Sequence, residues 1–184
     1  AAWQLEVGRC YAVVLTTGGG LYRYRLGDLI RVVGFAQACP LIEFLGRVDG
    51  VSDLYGEKLH AAHVAAVLQQ LYERFRLSPS FALLAPDGEA SVNRYTLFVS
   101  GEGMPEQAEE ISALLDTALR ENVHYDYSRK LGQLQAAQFY WIGDALRAQQ
   151  VYQEHCLSRG QRLGDIKPAV LDREGGWRQR LCGA

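Results

Sequence analysis

The apolar residues of this chain change their spacing part-way along it, and that change narrows the folds open to it. Up to residue 46 they come in short β-branched runs: "YAVVLT" at 11–16, "LIRVVGF" at 29–35 and "LIEFLG" at 41–46. Runs of this length, bounded by Gly, Pro and polar clusters, are strand signals. From residue 64 the spacing becomes three and four, so that Val64, Val67, Leu68, Leu71 and Phe75 share one helix face. Two further strand runs, "SFALLA" (80–85) and "RYTLFVS" (94–100), flank the turn "PDGEA". A second helix after Met104 and Pro105 carries Ile111, Leu114, Leu115, Ala118 and Leu119 on one face. "AAQFYWI" (136–142) reads as a strand and residues 144–159 as a third helix. Strands alone, then α, β, β, α, β, α, predict an α+β chain. A β-hairpin unit precedes a small C-terminal α/β sandwich, with helices packed on a mixed or antiparallel sheet.

Composition sets outer bounds. With 184 residues, 48% hydrophobic, 22% charged and five prolines, the chain has the make-up of a globular protein with a sizeable core. A net charge of −2 lacks the basic field that nucleic-acid binding requires. A local excess, six Lys/Arg between Arg159 and Arg180 against Asp165, Asp172 and Glu174, reads as a solvated tail. Cys10, Cys39, Cys156 and Cys182 form no C-x-x-C pair, and we expect free thiols packed as small buried hydrophobes in a reducing cytoplasm. No apolar run approaches the length of a membrane span. The single methionine is Met104 and the chain opens on Ala1, so it reads as a piece of a longer protein or as an engineered polypeptide.

Few residue clusters suggest chemistry. His60 and His63 could face one metal ion at the start of a helix, but no third ligand stands near, and both read as ordinary histidines. The triple glycine at 18–20 lacks phosphate-loop and dinucleotide spacing and reads as a hairpin turn. The strands at 80–100 lack the aromatic and basic signature of an RNA-binding sheet. "GGGLYRYRLGD" (18–28) is richer. Asp28, a carboxylate after a glycine at a strand entrance, can accept two hydroxyl hydrogen bonds from one ribose. Arg23 and Arg25, on alternate residues of an extended segment with Tyr22 and Tyr24, would point one way as donors to phosphate or carboxylate. A surface hairpin held by Arg–Asp pairs would use the same residues, and the chemistry alone does not choose.

Four stretches, in order, decide more. "TTGGGLYRYRLGDLIRVVGF", "FLGRVDGVSDLYGEKLHAAHV", "NVHYDYSRKLGQL" and "RLGDIKP" together resemble the auxin-responsive acyl-acid amido synthetase family. More distantly they are similar to the adenylate-forming superfamily of acyl-CoA ligases and peptide-synthetase adenylation domains. The resemblance implies a ligase that activates a carboxylic acid as acyl-AMP, using ATP and Mg²⁺, and passes it to an amino acid. On this pattern residues 1–48 are the last strands of the large adenylation domain, with a nucleotide-binding loop, and 49–184 are the mobile C-terminal domain. The N-terminal part of the same polypeptide would then be a partner, and no nucleic acid or membrane is implied. The phosphate loop and acyl pocket of the family lie upstream, so the chain alone is expected to be inactive.

The resemblance carries over residue by residue. Asp28 matches the aspartate that holds the ribose hydroxyls, and Arg47 an arginine that also reaches toward the ribose. Tyr22 is grouped with these nucleotide-binding residues. Asp49 falls at the hinge, Lys58 on a loop facing the cleft, and Lys167 at the late catalytic lysine. No protein metal ligand is implied. In "NVHYDYSRKLGQL" we expect a structural role: Tyr125, Tyr127 and Leu131 pack a helix end, and Gly132 stops it. Two alternatives stay open, a thiol acceptor as in the acyl-CoA ligases and a non-catalytic α+β module that binds a nucleotide or a protein.

Overall fold

In the computed structural model residues 2–47, 50–88, 93–166 and 168–183 are described; Asp49 and Lys167 lie outside them. The chain divides into two units, residues 1–50 and 51–184.

In the first unit a short 3-10 turn, Ala2–Gln4, leads into three antiparallel strands, β1 Cys10–Leu15, β2 Tyr24–Ala36 and β3 Cys39–Arg47, in the order β1-β2-β3. The strands β2 and β3 are joined by a tight hairpin turn, and Cys39 and Pro40 already belong to β3. Ala36 pairs with Cys39, so only Gln37 and Ala38 form the loop, with Gln37 left-handed at φ 56°. Val32 is fully buried in this unit, whereas Val33, Phe35, Leu41 and Ile42 are exposed on it.

The second unit opens with a two-residue pair, β4 Val51–Ser52 against β5 Leu59–His60, followed by α1 Ala61–Phe75. Its central sheet has the order β6-β7-β8, built from β6 Pro79–Asp87, β7 Arg94–Gly101 and β8 Gln138–Trp141. β6 and β7 run antiparallel; β7 and β8 run parallel, joined by a crossover through α2 Ala108–Leu119 and α3 Val123–Lys130. Helices α4 Ala145–Ser158 and α5 Trp177–Cys182 complete the unit. The outer edge of β6 is paired as well, because Leu84 N–H donates to Val170 O and Asp172 N–H to Leu84 O, both at 2.9 Å.

Side chains alternate across this sheet. Leu84, Leu97 and Val99 share a core with Val64 and Leu68 of α1 and with Ile111 and Leu115 of α2. Leu83, Ala85 and Phe98 instead share a second core with Ala148 of α4 and with Trp177 and Leu181 of α5. Helices on both faces explain why six successive residues of β7, Tyr95 to Ser100, are buried. The expected mixed sheet with packed helices is what forms.

Several expectations need correction. Besides the expected three helices, α3 is separate from α2, and α5 is additional. α3 is capped at its start by Asn122, whose side chain accepts from the N–H groups of His124 (2.9 Å) and Tyr125 (3.2 Å). It ends at Gly132 as expected, at φ 72°, with Gln133 N–H on Ser128 O (3.0 Å) and Gly132 N–H on Arg129 O (3.1 Å). Tyr125 is buried, but Tyr127 and Leu131 face outward, so only one of the three expected packing residues packs. The basic stretch at 159–180 is not a solvated tail. Trp177 is fully buried, stacked on Tyr152 at 5.7 Å, and Arg178 pairs with Asp87 at 2.6 Å. Of the cysteines only Cys156 is buried; Cys10, Cys39 and Cys182 are exposed, and all four are free thiols. Among the described residues no helix is long and apolar enough to cross a membrane.

Candidate functional site

In the first unit the expected nucleotide loop begins earlier and ends sooner than its sequence suggests. Thr17 N–H donates to Leu21 O at 2.8 Å and Arg23 N–H to Thr16 Oγ1 at 3.1 Å, which closes residues 16–23 into a compact turn. Arg23 is left-handed at φ 47°, so it lies outside the extended segment and does not alternate with Arg25 along one strand face. Tyr22 is 80% exposed. β2 starts at Tyr24, and Asp28 sits four residues into it, within the strand and partly buried, not at its entrance. The register sets Arg47 of β3 directly opposite Asp28. Just beyond, Leu29 pairs with Gly46 and Ile30 with Phe44, leaving Leu45 as a bulge. Two of the sequence-predicted residues are thus brought together by strand pairing.

In the second unit the strands β4 and β5 present a loop, residues 53–58. Its organiser is Glu57, a carboxylate with no exposed surface. Glu57 accepts from Leu54 N–H (2.9 and 3.1 Å), from Tyr55 N–H (2.7 Å) and from the hydroxyl of Tyr95. The Tyr95 hydroxyl also bonds Ser52 Oγ. Burial is the main reason the Tyr95 phenol is held well above its usual range, and the hydrogen bond to Glu57 adds to it. Because Glu57 turns inward, Lys58 turns outward. Lys58 is left-handed at φ 43° and its Nζ meets Asp53 Oδ2 at 2.6 Å. That hydrogen bond and the opposite charge hold the Asp53 carboxyl below its usual range and raise the Lys58 ammonium.

The "NVHYDYSRKLGQL" segment frames this loop. Asn122 Nδ2 donates to Lys58 O and Ser128 Oγ to Tyr55 O, each at 3.1 Å. α3 in turn is fixed to α2 through the buried Asp116. Asp116 accepts from Tyr125 hydroxyl (2.8 Å), Arg129 Nε (3.0 Å) and Nη2 (3.1 Å), and Ala137 N–H (3.0 Å). Burial, followed by the Asp116 charge, pushes the Tyr125 phenol up. Sequence reasoning missed Glu57, Asp116, Asn122 and Ser128. Asn122 was findable, since an Asn before a helical run with Asp126 in its first turn is a start signal. Nothing local marks Glu57 or Asp116 as buried.

Lys167 lies outside the described residues; the chain around it includes a 3-10 turn, Leu163–Asp165, and the Val170–Asp172 pairing with β6. Among the described residues no group of three or more His, Cys, Asp or Glu could hold a metal ion. His60 is exposed and His63 half-buried. An open groove beside α2 and β8, lined by Arg94, Glu109, Ser112 and Phe139, contains none of the sequence-predicted site residues.

Two matches decide the family. Residues 1–47 match the GH3 family central domain and residues 59–174 the GH3 family C-terminal domain. The chain belongs to the GH3 family. Among GH3 relatives, the probable indole-3-acetic acid-amido synthetase GH3.7 of Oryza sativa subsp. japonica is 41% identical over 76 residues, 41% of this chain and 12% of that protein. The indole-3-acetic acid-amido synthetase GH3.8 of Oryza sativa subsp. indica is 42% identical over 93 residues, 50% of this chain and 14% of its own. Of solved structures, the GH3.15 acyl acid amido synthetase aligns with a TM-score of 0.76 over 93% of this chain and 32% of its own, at 23% identity. A 2-hydroxyisobutyryl-CoA ligase aligns over 92% of this chain and 33% of its own, with a TM-score of 0.51 and 15% identity. At these identities the structural likeness speaks to fold alone. This GH3 chain therefore spans about a third of those solved chains, and its matched stretch covers a smaller part of the curated relatives.

Proposed function

We propose that these residues form the nucleotide-facing C-terminal part of an ATP-dependent acid–amine ligase, which makes an acyl-adenylate and transfers its acyl group to an amino acid. The observation that carries this reading is the order of two GH3 matches along one chain, with Asp28 and Arg47 paired across β2 and β3 inside the first of them. The amido synthetase relatives favour an amine over a thiol acceptor.

On this reading Asp28 accepts two hydroxyls of the ribose and Arg47 reaches the same sugar, while Tyr22, exposed at the turn, lines the nucleotide site. Asp49 is the hinge, Lys58 faces the cleft, and Lys167 enters the site for adenylation. In the first step a carboxylate oxygen attacks the α-phosphorus of ATP and pyrophosphate leaves. Both reactants are anions, so positioning and charge neutralisation supply most of the catalysis. Lysine, a compact cation on a long stem, suits a transferring phosphoryl centre. Mg²⁺ would arrive with ATP, held by the substrate's own phosphates rather than by a side chain of this chain, and would neutralise part of their charge. In the second step an amine nitrogen attacks the acyl carbon, AMP leaves and the amine proton is lost. The N-terminal part of the same polypeptide would supply the phosphate loop and acyl pocket, so the 184-residue chain is inactive by itself. The exposed apolar residues of the first sheet support a covering layer from that part. Three exposed free thiols suit a reducing cytoplasm.

The test is acyl-acid-dependent exchange of pyrophosphate into ATP by the full-length protein. We expect Lys167→Ala to lower exchange by ~10²-fold or more, the effect of losing one electrostatic stabiliser. Asp28→Asn is expected to raise the KM for ATP by roughly tenfold, with a smaller change in kcat. No exchange with any acid in a broad carboxylate panel would sink the reading.

A further inference from the structure

The 53–58 loop is held from two directions, and only one is explained by burial. From inside, Glu57 gathers two loop N–H groups and the Tyr95 hydroxyl. From the side, α3 takes the loop's outward carbonyls, Tyr55 O through Ser128 and Lys58 O through Asn122. These contacts join residues 73 and 64 positions apart. The second falls on a residue with a left-handed backbone, since Lys58 is a non-glycine residue at φ 43°. Such a conformation persists only where its surroundings over-determine it. Asn122 supplies that determination with one end of its amide while the other end caps α3. The capping and the loop contact therefore use different atoms of one side chain. α3 is itself rigidly seated, by the Asp116–Arg129 pair at 3.0 Å and by its glycine stop.

We propose that Asn122 and Ser128 are positioning residues: α3 fixes the 53–58 loop in the one conformation that aims the Lys58 ammonium away from the core. The inference rests on the reading of Lys58 as a residue that faces bound nucleotide. It also gives the "NVHYDYSRKLGQL" segment a task beyond stabilising its own helix. Lys58 would reach the ligand from a backbone set in advance, rather than ordering it on binding.

The variant that isolates this role is Asn122→Asp in the full-length protein. Asp keeps the oxygen that caps His124 and Tyr125 and is as good a cap as Asn, but it cannot donate to Lys58 O. Hydrogen exchange should show the amides of residues 54–58 opening about fivefold more readily, the loss of one hydrogen bond, with α3 unchanged. Pyrophosphate exchange should show kcat/KM for ATP falling by a similar factor, roughly fivefold. In a Lys58→Ala background the Asn122→Asp change should add nothing, because the two act through one group. Ser128→Ala should behave alike, and Ser128→Thr, which restores the donor, should recover the loss. Unchanged loop protection in Asn122→Asp would overturn the proposal, as would effects of Asn122→Asp and Lys58→Ala that simply add. If the wild type exchanged no pyrophosphate at all, the ligase reading would fall, and with it the role of Lys58. The hydrogen-exchange comparison would still decide whether α3 holds the loop.

Discussion

Tyr95, in the buried middle strand of the second unit's sheet, donates its phenolic hydrogen to the carboxylate of Glu57, 38 residues earlier in the chain. That bond ties a surface loop to the core of the sheet. The inward turn of Glu57 is what leaves Asp53 and Lys58 facing outward as a pair.

Glu57→Gln tests the tie. Every group around the Glu57 oxygens is a donor: two backbone N–H groups and the Tyr95 hydroxyl. A glutamine would present its own NH₂ to one of them, in a place closed to water. We expect a loss of about 2–3 kcal/mol, the range for a buried hydrogen bond to a charged group left unmade. Urea denaturation measures it, and a change near zero would show that the loop does not depend on this carboxylate.

Alkaline pH should unfold the second unit through its tyrosines. Burial pushes the Tyr72 phenol up to about 12 and those of Tyr95 and Tyr125 higher still. An unfolded chain releases phenolic protons near pH ~10. Above that the unfolded state binds fewer protons than the fold, so stability is intact below pH ~10 and falls as pH rises beyond it. Tyrosinate absorbance from the buried residues should appear together with loss of far-ultraviolet circular dichroism. Smooth ionisation of all ten tyrosines with the fold intact would contradict this.

Trp177→Ala should show that the C-terminal helix belongs to the core. Trp177 is fully buried between Tyr152, with which it stacks at 5.7 Å, and the edge of His155 at 4.8 Å. Removing a buried tryptophan costs about 3–5 kcal/mol. Thermal unfolding would register it as a large fall in Tm, whereas a solvated tail would register nothing.

The sequence alone was enough for those features that depend on near neighbours in the chain. The shift from β-branched runs to a three-and-four spacing located the strands of the first unit, α1 with its buried Val64, Val67, Leu68 and Leu71, and the sandwich of helices on a mixed sheet. The order of four motifs pointed to the family. These signals are legible because strand and helix periods are properties of the local backbone. What only the tertiary structure decided depends on which distant segments meet. Composition made residues 159–180 a solvated tail, but Trp177 had a pocket between α4 and the sheet, and Arg178 had Asp87, 91 residues away. Alternation made Arg23 part of a strand, but a closed turn held it left-handed and put Asp28 inside β2 opposite Arg47. Glu57 carries no local mark of its burial, because its partner Tyr95 and its supporting helix α3 arrive only when the chain crosses itself. A polar side chain carries no local record of whether such a partner will come, and its free energy is set by that meeting: costly if buried alone, stabilising if every donor and acceptor is met.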